Sequence, residues 1–228
     1  MDARARARVA QVAALVGVSA IGIRSVITAL VYTGSQGEPY SPLNHWVSEL
    51  GQTSVSQAAW LFNLGLIVAG LCFAVFMALF AASTTGSLRY LWGSLGIVGG
   101  VSGALVGVFP MDHLQVHGWV ALGFFFLGPS SVALASVDLL RRRDPRLPAW
   151  IGILGIAALV VLILFLVAMF TDPIMSQGAK LAAPADRPAF WLASTLEWAV
   201  VVGVLLWTLL AAVGWFRADR RAVRATAG

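Results

Sequence analysis

The sequence predicts an all-α polytopic membrane protein, a bundle of six transmembrane helices with both termini in the cytoplasm. Three observations predict it. The 228-residue chain is 59% hydrophobic and 11% charged, with a mean hydropathy of +0.86, whereas a soluble domain carries about a quarter charged residues. Its apolar residues gather into stretches near the roughly 20 residues that cross a bilayer as a helix. Its basic residues collect on alternate connections, as expected for cytoplasmic loops.

In chain order the apolar stretches are residues 9–32, 58–82, 88–109, 116–140, 150–171 and 190–216. The first follows a basic segment and is too long for a signal-peptide core, so it reads as a retained membrane helix. Arg4, Arg6 and Arg8 precede helix 1, Arg89 follows helix 2, Arg141, Arg142, Arg143 and Arg146 separate helices 4 and 5, and Arg217, Arg220, Arg221 and Arg224 follow helix 6. The intervening connections hold only Lys180 and Arg187, which sets both termini on the cytoplasmic side. The net charge of +5 therefore reflects topology rather than a nucleic-acid surface. Size points to one unit, residues 1–228. The single cysteine, Cys72, excludes an intramolecular disulfide.

The long outer connection, 33–57, is expected to carry a short amphipathic helix at the interface, because Leu43, Trp46, Val47 and Leu50 recur at helical spacing. His45, Ser48 and Glu49 lie in the same segment. In helix 2, Asn63 is placed to hydrogen-bond a neighbouring helix. Helix 3 carries glycines at small-xxx-small spacing, Gly96/Gly100 and Gly103/Gly107, which allow close helix approach. Pro110 ends helix 3, and Asp112 is placed to cap helix 4. The connection 172–187, rich in Pro, Ala and Gly, is expected to be partly mobile.

Titratable groups at membrane depth are functional-site candidates by default, since burying them costs several kcal/mol unless they are paired or wet. The turn from Phe109 to His117 brings one carboxylate and two of the three histidines together. His113 and His117 share a helical face, a spacing that suits zinc only with further ligands; His45, Glu49, Asp112 and Glu197 are the candidates to complete such a site. No bound metal or other cofactor is expected otherwise. Glu197 sits about two turns inside helix 6, and Arg24 lies at comparable depth in helix 1. The expectation is that Arg24 pairs with Glu197 or Asp112, the alternative being that it snorkels to the headgroups.

The succession Ser48-Glu49-Leu50-Gly51, then Leu61-Phe62-Asn63-Leu64-Gly65, then Gly107-Val108-Phe109-Pro110-Met111-Asp112 with His117 resembles the bacterial and archaeal membrane family named domain of unknown function 998. The resemblance covers helices 1 to 4 by motif and helices 5 and 6 by hydropathy. It implies that Ser48, Gly51, Asn63, Asp112 and His117 are the recurring polar features, and a plasma (inner) membrane location; it implies no reaction. More distantly, the outer-loop motif, the mid-chain His and Glu197-Trp198 resemble the six-span damage-regulated autophagy modulator family.

The functional expectation is an outward-facing polar pocket for a membrane lipid or hydrophobic small molecule. Arg24, His45, Ser48, Glu49, Asn63 and Trp198 would bind the ligand; Asp112, His117 and Glu197 would supply acid/base chemistry for an isomerisation, cyclisation or hydrolysis. A solute or ion carrier, or a structural partner of another membrane protein, is the alternative. No Walker motif or nucleophile elbow is present.

Overall fold

The computed structural model describes residues 1–172 and 187–227, with side chains described as far as residue 221. It is all-helical, with no strand among the described residues. The membrane-length helices are α1 (Ala3–Val31), α2 (Ala59–Ala82), α3 (Leu88–Val108), α4 (Leu114–Arg141), α5 (Ala149–Thr171) and α6 (Leu192–Ala227). All six are long and apolar enough to cross a membrane. Short 3-10 helices at Val47–Gly51 and Met111–His113 interrupt the connections. The expected mobility of 172–187 falls mainly on 173–186 and lies, with Lys180, outside the described residues.

The apolar runs locate the helices but not all of their ends. Helix α1 begins six residues before the run at 9–32, because Asp2 accepts the Ala5 N–H at 2.7 Å and Ala and Arg are strong helix formers. Helix α6 continues past Phe216 for the same reason of propensity.

Each helix packs against the next in sequence, and α6 returns to α1, closing a ring. An even number of spans puts both termini at one end, called here the terminal end; the 33–57 connection covers the opposite, loop end. The tightest seam joins α2 to α3, where backbones touch. A Cβ built on Gly70 would lie 2.5 Å from the Gly100 carbonyl oxygen, and one on Gly100 would lie 2.6 Å from the Gly70 carbonyl oxygen. The small-residue stripe of α3 is thus a packing surface, as its spacing predicts.

The terminal end is solid. Phe76, Phe80, Met77, Trp92, Trp207 and Trp215 form its core. Arg146, on the α4–α5 turn, latches it shut: it bonds Asp144 at 2.6 Å, the Ser83 carbonyl at 2.9 Å and Thr84 Oγ1 at 3.1 Å. Its guanidinium also lies over the rings of Phe80 and Trp215, at 5.1 and 5.5 Å. Asp138, fully within α4 and 2% exposed, accepts from Trp92 Nε1 at 3.1 Å and Arg142 Nε at 2.7 Å.

A side chain at Gly100 must push two backbones apart, whereas a Cβ at Gly22 meets nothing within 4 Å. Gly100→Val should therefore lower stability by about 3 kcal/mol, the upper part of the overpacking range. Gly22→Val should stay within about 0.5 kcal/mol of the parent. Denaturant titration of both variants in the same detergent checks the contrast.

Candidate functional site

At the loop end the 33–57 connection does not lie on the interface as an amphipathic helix. It folds inward as a plug: Trp46, Val47, Glu49, Leu50 and Gly51 are buried. Trp46 packs edge-on against Trp191 at 4.8 Å and is buried. The physical reason is that its apolar side chains find α2, α5 and α6 to pack on. The cost of that burial is a stretch of backbone polar groups that water cannot reach, and each must find a protein partner.

The predicted polar residues mostly meet this cost. Glu197 Oε2 accepts the Val47 N–H at 2.7 Å, and Glu49 Oε1 accepts the Trp46 N–H at 2.9 Å. Together they satisfy leading N–H groups of the 3-10 helix. Asn63 Nδ2 donates to the Gly51 carbonyl at 2.9 Å, so its partner is the plug and not a neighbouring membrane helix. Asp112 does not cap α4: its two oxygens accept the N–H groups of Thr53 and Ser54, at 2.7 and 3.1 Å. From α6, Trp191 N–H donates to the Leu43 carbonyl at 2.7 Å, and Trp198 Nε1 donates to Tyr40 Oη at 2.8 Å. Tyr40 in turn donates to the Trp46 carbonyl at 2.9 Å.

One ion pair reinforces the plug. Arg187 NH1 lies 2.8 Å from Glu49 Oε2, with the two side chains 5% and 3% exposed. Among the described residues Arg24 joins no ion pair. Its guanidinium turns back to the Ala20 carbonyl at 3.2 Å, and its stem lies across Gly65 of α2. The expected pairing with Glu197 or Asp112 is not made; backbone N–H groups take both oxygens of Asp112 and one of Glu197.

His45 is buried between Tyr32 and Tyr40, with ring centroids 5.7 and 5.1 Å away. Its Nδ1 meets Asn44 Oδ1 at 2.7 Å, while Nε2 has no partner. Burial holds this imidazole below its ordinary value of 6.5, with the Glu49 charge opposing and Arg187 assisting. His113 is exposed and His117 buried. Among the described residues no three His, Cys, Asp or Glu side chains stand close enough together to hold a metal.

Beneath the plug lies a cavity of about 500 Å³ bounded by α1, α2, α3, α4 and α6. Its wall is apolar for most of its length. Of the predicted residues, Ser48, His117, Glu197 and Trp198 line it; Arg24, His45, Glu49, Asn63 and Asp112 do not. Tyr40, Ser25 and Thr208 line it too and were not singled out from the sequence. Tyr40 carries no signal beyond its place before the Pro-Leu-Asn-His-Trp segment. His117 donates from Nδ1 to the Phe109 carbonyl at 2.9 Å, which leaves Nε2 as the nitrogen available to a partner. Glu197 has one carboxyl oxygen engaged and the other without a hydrogen bond among the described residues.

The cavity is not closed on all sides. Val26 and Leu30 of α1 and Val202 of α6 line it, yet are 60%, 80% and 50% exposed. The α1–α6 seam, which these residues flank, is the loosest of the ring.

Most of the chain, residues 20–214, matches the family model described as Protein of unknown function (DUF998). No curated protein and no solved structure matches the chain.

Two outcomes follow from the plug. Arg187→Leu leaves Glu49 buried without its cation and should cost about 3–5 kcal/mol, read as a lower unfolding midpoint and protease cleavage within 33–57. For His45 the folded value lies below the unfolded one, so the stability it contributes is present above pH 6.5 and is lost as pH falls through the folded value. Unfolding temperature should therefore drop on acidification below pH 6.5, and His45→Phe should flatten that dependence.

Proposed function

We propose, for a chain that belongs to the DUF998 family, that the covered cavity binds a membrane lipid or another hydrophobic small molecule. The observation that carries this reading is the cavity itself: about 500 Å³, within the ~300–1,000 Å³ of ordinary ligand sites, apolar along its length and polar at one end. A site that receives an amphiphile needs that division, because the tail must leave water without cost while the head keeps its hydrogen bonds.

Orientation follows from charge. With the arginine-rich connections on the cytoplasmic side, the plug and the polar end of the cavity face outward from the plasma membrane, and Glu197 lies at the level of the outer leaflet. Ser48, Tyr40, His117, Glu197 and Trp198 form the head end. Acid/base work on a bound molecule falls to His117 and Glu197, the titratable pair that lines the cavity. Asp112, Asn63 and Glu49 hold the roof in place, and Arg24 packs outside the cavity.

The reading is tested by filling the cavity from a position where the fold tolerates it. Gly22 lines the cavity and has open space around a Cβ. In native mass spectrometry of the purified protein, a co-purifying hydrophobic molecule should be depleted about tenfold in Gly22→Phe, a loss of some 1.4 kcal/mol of binding. Unchanged occupancy in a folded Gly22→Phe protein would sink the proposal. If the recovered molecule changes mass or chromatographic retention on incubation with the parent protein but not with His117→Ala, the site is catalytic; a molecule unaltered in both makes it a binding site.

A further inference from the structure

We propose that the ligand is an amine-bearing single-chain amphiphile. It enters sideways from the membrane between α1 and α6, sets its ammonium against Glu197, Tyr40 and Trp198, and lays its chain along the slot. This rests on the reading of the cavity as a lipid site and names the chemistry of the head.

The charge inventory of the wall comes first. Among the described residues, Glu197 is the only acidic side chain lining the cavity, and no Lys or Arg lines it. Glu197 has no cation within 4.0 Å; the ion pairs among the described residues join Arg142 to Asp138, Arg146 to Asp144 and Arg187 to Glu49. Its lone backbone hydrogen bond from Val47 leaves half of the carboxyl group free. A phosphate or carboxylate head brought here would meet a carboxyl group and, among the described residues lining the cavity, no cation, the arrangement that burial penalises most. An ammonium would instead supply the missing charge and up to three donors.

Aromatic placement agrees. Tyr40 and Trp198 line the same end, their ring centroids 6.2 Å apart and their planes near perpendicular at 74°. Their hydrogen-bonding tips are spent on each other and on the Trp46 carbonyl. A cation gains most from ring faces in a desolvated site with an anion nearby.

The slot matches one chain. Its α1 wall runs from Ala13 to Leu30, about 25 Å at the helical rise of 1.5 Å per residue. Ala13, Ala14, Gly17, Gly22, Ser25 and Ala29 keep that wall flat. The exposed Val26, Leu30 and Val202 mark its open side, so a chain can slide in from lipid without crossing the plug.

The test compares equal chains with different heads. The full-length protein in phosphatidylcholine nanodiscs is titrated with radiolabelled dodecylamine, dodecanol and dodecanoate at neutral pH, with empty nanodiscs subtracted. Dodecylamine should bind about tenfold more tightly than dodecanol, and dodecanoate should be the weakest. Glu197→Gln should remove the preference for the amine while leaving dodecanol affinity in place; the parent comparison decides the matter even where that variant does not fold. Amine and alcohol binding alike, or dodecanoate binding as well as the amine, overturns the ammonium assignment and leaves a lipid slot standing. Failure of all three probes to bind overturns the lipid slot as well.

Discussion

Buried backbone is the constraint on which the loop end depends. An irregular segment can leave water only where protein receives every N–H and C=O that water no longer reaches. The segment around Val47 does so, and the bond from the Val47 N–H to Glu197 shows how. A carboxyl group on one helix stands in for the turn of helix that would otherwise lie beneath the first residues of a 3-10 segment. At the exposed rim Asp112 accepts from Thr53 and Ser54, and deeper in Asn63 donates to the carbonyl of Gly51. Asn63 also leaves no room at Gly51, where a Cβ would come within 2.2 Å of the amide oxygen. The plug is held through its main chain, by side chains on three different helical elements.

This fixing of the roof accounts for the hollow beneath it. At the terminal end, stacked aromatic side chains fill the ring and Arg146 ties the turns together. Toward the loop end, α1 turns small residues inward, and the space they leave is roofed rather than filled. Dense packing normally eliminates such voids, since unfilled volume forfeits dispersion contacts. Here a void of about 500 Å³ persists under a heavily bonded cover.

The membrane architecture was legible in residues 9–216 because hydrocarbon thickness acts directly on composition: the six spans and their order match the apolar runs. The need of Glu197, Asn63 and Asp112 for partners was legible as well, although Asp112 lies exposed. The identity of those partners was not. All three bond to main chain, and a backbone N–H or C=O is present at every position, so it leaves no mark on the sequence. Reasoning by charge paired Arg24 with a carboxylate, whereas its guanidinium bonds the Ala20 carbonyl of its own helix. Ser48, His117 and Trp198 were singled out as members of one site, and the cavity gathers them. Tyr40 escaped because a tyrosine in a polar loop looks ordinary until Trp198 is seen bonded to it. Asp138 escaped because its position near the arginine-rich turn reads as a helix-end charge, while Trp92, 46 residues away, encloses it.

The ring closes between the first and last helices, and this has a bearing on synthesis. Chains are made from the N-terminus, so the plug emerges directly after α1, well before most of the groups that hold it. Asn63 follows soon, then Asp112, but Arg187, Trp191, Glu197 and Trp198 arrive with the final span. Until α6 is in place the Val47 N–H has no acceptor, the roof has no anchor on that side, and α1 presents its small-residue face to lipid. Closure of the ring is thus a late event, the docking of α6 against α1. A membrane quality-control system could read a half-made chain directly, as exposed loop backbone that has not yet been received.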